Sequence, residues 1–285
     1  MLLLAAFVGG GGFISVKYLL DWGYDPYQVI FGRFLMASLC MGIVYHKRLR
    51  KITKKEWKVG SILGILLAAM FVLMTVGLLY TTPSINAFLV NIQAVIVPFI
   101  CWGVFRQKPT RNHFIAAMMT LIGVCCLSLT ADFRIDFGAA LTLLAALAFS
   151  LQMAFLGNLT DGCDPIHIAI TENISMLAMM TVVLNFTGWD MPAMTLPSLG
   201  NFFFLGAFCT AAYFALQSAG QQITSPNKAA IIITSESIFA AIFSALIYGE
   251  RMALRGYIGC IIIFAAMMLA EQPTKKSVDN ANKIE

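Results

Sequence analysis

Charge is what this chain has least of: among its 285 residues only 12% are Asp, Glu, Lys or Arg. A soluble domain carries about 25% charged residues to keep its surface hydrated, so a soluble globular fold is excluded. Histidine is scarce, and His46, His113 and His167 stand far apart, without an HExxH, GxSxG or phosphate-loop string anywhere. A hydrolase or phosphotransferase needs clustered nucleophile, base or metal ligands, so an enzyme is not expected, and neither a metal nor a cofactor. The seven cysteines (40, 101, 125, 126, 163, 209 and 260) include no CxxC pair and read as small apolar packing residues. Long polar loops are missing too, which argues against a receptor or scaffold.

What fills the chain is apolar: 59% of the residues are hydrophobic. Ten apolar runs can each cross a bilayer as a helix, at about 2–20, 27–45, 59–79, 84–105, 113–130, 137–157, 166–187, 200–219, 227–248 and 254–271. The first lacks the basic start and small-residue cleavage site of a signal peptide and reads as a helix. Basic residues concentrate in "HKRLRKITKKEWK" (46–58), "RQKPTR" (106–111) and the tail "KKSVDNANKIE". Placing these segments inside puts both termini in the cytoplasm of a multi-pass protein of the cell membrane. The net charge of +5 reports this topology and the membrane surface; no nucleic-acid partner is implied.

The chain also repeats itself. A shift of 143 positions lays Thr82-Pro83 on Ser225-Pro226, Ala87 on Ala230, Asn91 on Thr234, Gln93 on Glu236 and Gln107-Lys108 on Glu250-Arg251. A shift of 139 lays Asp25-Pro26 on Asp164-Pro165 and Arg33 on Glu172. Five spans per half is an odd number, so the second copy enters the bilayer from the opposite side. The expected fold is an all-α integral membrane protein of ten transmembrane helices in two inverted five-helix repeats. Their bounds are 1–131 and 132–272, followed by a cytoplasmic tail, 273–285. Inverted repeats are the common frame of alternating-access carriers, with the substrate near the midplane.

The segments "TTPSINAFLVNIQAVIVPFICWGVFRQK" and "TSPNKAAIIITSESIFAAIFSALIYGER", with the Arg of "FGRFLMAS", resemble the paired EamA-type domains of the drug/metabolite transporter superfamily. The resemblance covers nearly the whole chain. The first copy departs from it in ending on "FRQK" where a Gly-Glu-Arg ending is usual; it keeps Pro98, where the second copy has Ala241. Such a resemblance implies a carrier of small metabolites, often amino acids or related compounds, and leaves the substrate open.

Four ionisable residues lie inside spans: Lys17, Arg33, Glu172 and Glu236. Each costs about 2.5–3.5 kcal/mol at bilayer depth unless it finds a partner or a wet cavity, so they form either structural pairs or a polar substrate site. Glu236 lies near the centre of its span among Thr234, Ser235 and Ser237, suited to bind a substrate amine or to exchange a proton. Arg33 suits a substrate carboxylate. Glu172, the counterpart of Arg33 in the second copy, would make one side of the cavity acidic. Lys17, four residues from Asp21, reads as a local pair. Asn91, Gln93, Gln152, Tyr213 and Gln217 are uncharged candidates that either bond a ligand or bond across helices.

Close packing is expected along Ala207, Ala211, Ala215 and Ala219, along Ser237, Ala241 and Ala245, and at Gly9 to Gly12, a string that either packs or hinges. Without an ATP motif, coupling to an ion gradient, protons included, or facilitated exchange remains. A monomer suffices, and a homodimer is compatible. The alternatives are a channel-like facilitator or a membrane-embedded enzyme; the repeat within one chain favours a carrier over a pore built by symmetric assembly.

Overall fold

The structure, a computed structural model, describes residues 1–80, 86, 89–128, 137–248 and 254–271, and all regular structure among them is helical. In the first half run α1 (Leu2–Asp21), α2 (Pro26–Val44), the short α3 (His46–Leu49), α4 (Lys54–Leu78), α5 (Gln93–Phe105) and α6 (Arg111–Ser128). In the second follow α7 (Phe137–Leu159), α8 (Pro165–Thr187), α9 (Leu196–Phe203), a π-helix (Phe204–Ala212), α10 (Tyr213–Gln222), α11 (Pro226–Thr234), α12 (Glu236–Tyr248) and α13 (Leu254–Glu271). Among the described residues six helices are long and apolar enough to cross a membrane, those of the first, second, third, sixth, seventh and eighth predicted spans. Leu89–Phe105 and Tyr257–Ala266 qualify as shorter apolar helices in the fourth and tenth spans.

Helix starts follow from local chemistry. Asp25 accepts from the Tyr27 amide at 2.9 Å with Pro26 behind it, and Asp164 accepts from the Ile166 amide at 2.8 Å with Pro165 behind it. A carboxylate cap followed by a proline in the first turn satisfies an otherwise unpaired amide and needs no donor from the proline. The same device therefore opens the equivalent helix of each half. Pro226 likewise opens α11 behind the Ser225 cap; the predicted counterpart at Thr82-Pro83 lies outside the described residues.

Three predicted helices are not regular. The fourth and ninth apolar runs are each broken in the middle, at Ile92 and Ser235. The eighth switches from α to nine residues of π-helix and back, so the expected alanine stripe along 207–219 does not hold one α-helical face. Extra length per turn rotates Ala207 and Ala211 out of register with Ala215 and Ala219. Ala241 and Ala245 of the other stripe lie outside the residues whose side chains are described.

The core sits between the halves. Helices α1 and α2 pack on the π-helix, α1 also on α10 and α12, α4 lies on α7 and α8, and α6 runs beside α13. In a bilayer apolar burial between helices yields little, and backbones must come close to gain dispersion and weak polar contact. Glycines supply that approach. A Cβ on Gly64 would lie 2.7 Å from the Ser175 Cβ and 2.8 Å from the Glu172 carbonyl oxygen, and one on Gly60 would collide with Thr171. The Gly60-x-x-x-Gly64 string thus seats α4 on the stretch of α8 that carries Glu172. Outward, large side chains such as Ile43, Phe186 and Ile261 are exposed, as a lipid-facing surface requires.

Candidate functional site

The broken helices meet. At the first break the Ile92 amide bonds the Leu89 carbonyl (3.2 Å) and the Val95 amide bonds Ile92 (2.9 Å). At the second the Ser235 amide bonds Ile232 (3.1 Å) and the Ile238 amide bonds Ser235 (3.0 Å). Both replace i→i−4 bonds by i→i−3 bonds, at positions 143 residues apart, the spacing of the internal repeat. The Asn91 side-chain amide donates to the Ser237 hydroxyl and ties the breaks together. Glu236 becomes the first residue of α12, where helix dipole and spare amides favour a carboxylate. Discontinuous helices of this kind line ligand cavities near the bilayer midplane.

Around Glu236 the neighbours come from three other elements. Tyr213, at the start of α10, lies beside the carboxylate against the same point of α1, next to Gly9. Arg33 on α2 acts on it electrostatically. Helix α1 passes so close that a Cβ on Gly9 would lie 2.7 Å from Glu236 Cδ, 2.8 Å from Oε1 and 2.9 Å from Tyr213 Cε2. A Cβ on Gly10 would lie 2.8 Å from the Ala240 nitrogen. Within the continuous helix α1 this glycine string is a packing surface, Gly9 and Gly10 for the second broken helix and Gly11 and Gly12 for the π-helix, the first of the two readings left open above.

Arg33 is held by the π-helix. Its Nε donates to Thr210 Oγ1 at 2.5 Å and its Nη2 to the Cys209 carbonyl at 2.7 Å; Thr210 Oγ1 donates in turn to the Leu205 carbonyl at 2.8 Å. A π-to-α transition skips one carbonyl in the ladder, and here a guanidinium takes it. The Arg33 Cζ lies 4.6 Å from the Phe71 ring centroid, a cation–π distance. Among the described residues Arg33 and Glu236 make no ion pair, and Arg33 Nη1 has no hydrogen-bond partner.

A second polar group lies beside the first. Gln152 Nε2 on α7 donates to Glu172 Oε1 on α8 at 2.7 Å, and Gln217 Nε2 on α10 donates to Gln152 Oε1 at 3.3 Å. All three side chains have 0% exposure. Tyr213 stands one turn before Gln217 on α10 and within electrostatic range of both carboxylates.

The structure thus gathers Glu236, Arg33 and Tyr213 in one group, Glu172, Gln152 and Gln217 in an adjoining one, and Asn91 at the crossing. Gln93 is buried, but its Oε1 makes no hydrogen bond among the described residues, and it joins neither group. Lys17 is exposed near the C-terminal end of α1, away from both. Sequence reasoning missed Thr210, the Cys209 carbonyl and Phe71, which carry no signal of their own. It also missed Gly60-x-x-x-Gly64, a small-residue motif readable from spacing alone.

A further polar cluster closes the end of the bundle that holds loop 46–58. Glu56 Oε1 accepts from the Asp164 amide (2.9 Å) and lies 2.9 Å from His167 Nδ1, while its Oε2 accepts from the Thr53 amide (2.7 Å) and hydroxyl (2.8 Å). Arg48 pairs with Asp164 at 3.1 Å and Lys55 Nζ donates to the Asp161 carbonyl at 2.6 Å. These contacts bind the α3–α4 connection of one half to the α7–α8 connection of the other.

Comparison with known proteins agrees with this architecture. Residues 1–129 and 136–271 each match the model of the EamA-like transporter family. The chain is similar to an uncharacterized transporter of Archaeoglobus fulgidus, 26% identical over 268 residues that cover 94% of this chain and 83% of the relative. A protein known from a crystal structure superposes with a TM-score of 0.76 at 11% identity, over 95% of this chain and 96% of that one, a likeness of fold alone.

Proposed function

We propose that this chain, which belongs to the EamA-like transporter family, carries small amphipathic metabolites, amino acids or related compounds, across the cytoplasmic membrane by alternating access. That family consists of non-enzymatic membrane transporters that bind small molecules. The observation that carries the finer reading is the Arg33–Tyr213–Glu236 group: opposite charges in electrostatic reach of each other, at a crossing of two broken helices, without an ion pair between them. Two charges that cost so much in lipid and do not neutralise each other directly call for a ligand with complementary ends. A substrate carboxylate would take Arg33 Nη1 and a substrate amine would take Glu236, with Tyr213 orienting the carboxylate. On this reading the termini are cytoplasmic, the halves 1–131 and 132–272 rock about the site, the tail is 273–285, and a monomer carries the whole machinery, with or without a second copy beside it.

The test is uptake of a panel of labelled amino acids into proteoliposomes, with and without an imposed pH gradient, comparing wild type with Glu236→Gln. Saturable flux that the substitution removes supports the reading. Absence of flux for every amino acid removes the substrate class, and undiminished flux in Glu236→Gln returns Glu236 to a structural role.

A further inference from the structure

Hydrogen-bond arithmetic singles out the second polar group. Glu172, Gln152 and Gln217 offer two amide NH2 groups, and each donates within the group. Two acceptors are left over: Glu172 Oε2 and Gln217 Oε1 are buried and have no hydrogen-bond partner among the described residues. A buried acceptor without a donor costs about 1–3 kcal/mol, more when charged. The second hydrogen of each amide reaches neither oxygen, so both acceptors stay unmet and the carboxylate has no positive charge beside it, in a place with 0% exposure.

Neighbouring helices do not supply the missing charge. Helix α7 carries no ionisable residue. Helix α10 offers Tyr213, a phenol that carries no positive charge. Helix α2 offers Arg33, turned to the π-helix. On α4 the ionisable residues Lys54, Lys55, Glu56 and Lys58, and on α3 His46, Lys47 and Arg48, all sit at the loop end. On α8 itself the other ionisable residue is His167, engaged with Glu56.

We infer that Glu172, Gln152 and Gln217 form a binding site for a small monovalent cation, a proton or an alkali ion, distinct from the Arg33–Glu236 pair. An electron-poor ligand relieves the orphaned carboxylate: a proton makes Glu172 neutral, and an alkali ion would take Glu172 Oε2 and Gln217 Oε1 as ligands. Gln217 and Tyr213 are one turn apart on α10, so the helix that closes the cation site also carries the phenol beside Glu236. Occupancy of one site then alters the geometry of the other, which is the minimum that coupled transport requires. This assignment rests on the reading of the chain as a carrier and divides the labour of its two intramembrane carboxylates: Glu236 for substrate, Glu172 for the driving ion.

Cation binding is read without any substrate. Purified protein in micelles is unfolded thermally in NaCl and in choline chloride, each at neutral and at mildly acidic pH, as wild type, Glu172→Gln, Gln217→Leu and Glu236→Gln. Wild type and Glu236→Gln are expected to gain several degrees in Tm with the cation that binds, Na+ or H+, and Glu172→Gln and Gln217→Leu to lose most of that gain. A response kept in Glu172→Gln, or absent from wild type, overturns the site. The second readout separates coupling from a merely structural acid: Glu172→Gln proteoliposomes are expected to keep measurable counterflow of the amino-acid panel while losing accumulation driven by an imposed pH or Na+ gradient. Loss of both in a folded variant, or retention of both, overturns the division of labour. If wild type moves nothing in either mode, the amino-acid reading falls, and the thermal assay still decides the cation site.

Discussion

Replacing Gly9 by alanine adds a single methyl group at the point where α1 passes Glu236. The new Cβ lies 2.7 Å from Glu236 Cδ, 2.8 Å from Oε1 and 2.9 Å from Tyr213 Cε2. Relaxed contacts between such atoms need about 3.5–4.0 Å, so an overlap of roughly 1 Å must be relieved. The carboxylate end of a flexible side chain yields most cheaply, at about 0.5–1.5 kcal/mol for an off-rotamer torsion. Helix propensity gives back about 1 kcal/mol on going from glycine to alanine. These contributions nearly cancel, so Tm should change little, whereas a site displaced by about 1 Å should lose on the order of a hundredfold in rate. The pair of assays is thermal unfolding and amino-acid uptake in proteoliposomes. Gly42→Ala and Gly103→Ala serve as controls, since a Cβ there meets nothing within 4 Å, and should retain flux at equal or higher Tm. Full flux in Gly9→Ala would refute the placement of Glu236 at the substrate.

Two other substitutions test the supports. Thr210→Val keeps the shape but removes the hydroxyl that accepts from Arg33 Nε, leaving a charged donor short of one bond. Stability should fall by about 1.5–3 kcal/mol, and Thr210→Ser should restore it, both read by thermal unfolding. Glu56→Ala strips the Asp164 and Thr53 amides and His167 of their shared acceptor, so unfolding should become easier by about 1–3 kcal/mol. Limited proteolysis should then cut within 46–58 or 158–165, the segments that Glu56 holds together; an unchanged cleavage pattern would show that the other loop contacts suffice.

How much of this was legible beforehand varies element by element. Ten apolar runs with short links, the Asp-Pro starts of α2 and α8 and the offset of 143 residues are all statements about local chemistry, and the structure places helices accordingly. That offset aligns Gln93 with Glu236, but both runs read as continuous helices, and nothing in the sequence marked the breaks beside them. The candidates Arg33, Glu172, Gln152, Tyr213, Gln217 and Glu236 were found because polar groups in lipid are expensive and therefore conspicuous. Their sorting into two groups was not legible, and neither was Gln93 standing apart from both. The π-helix was invisible as well: "FLGAFCTAA" reads as ordinary α-helix, and its longer turns are stabilised by what they offer Arg33, a residue 177 positions away.

Sequence alone determined the composition of the layers, because a backbone crossing lipid must satisfy its own hydrogen bonds and so becomes helical wherever an apolar run is long enough. It also determined the repeat, although not the breaks that the two halves share. Tertiary structure alone decided the partners: a helix buried in lipid on one side and in protein on the other is apolar all round, so its pattern does not say which face meets which neighbour. Gly9 against Glu236, Arg33 against the skipped Cys209 carbonyl, and the orphaned oxygens of Glu172 and Gln217 exist only once the helices are side by side.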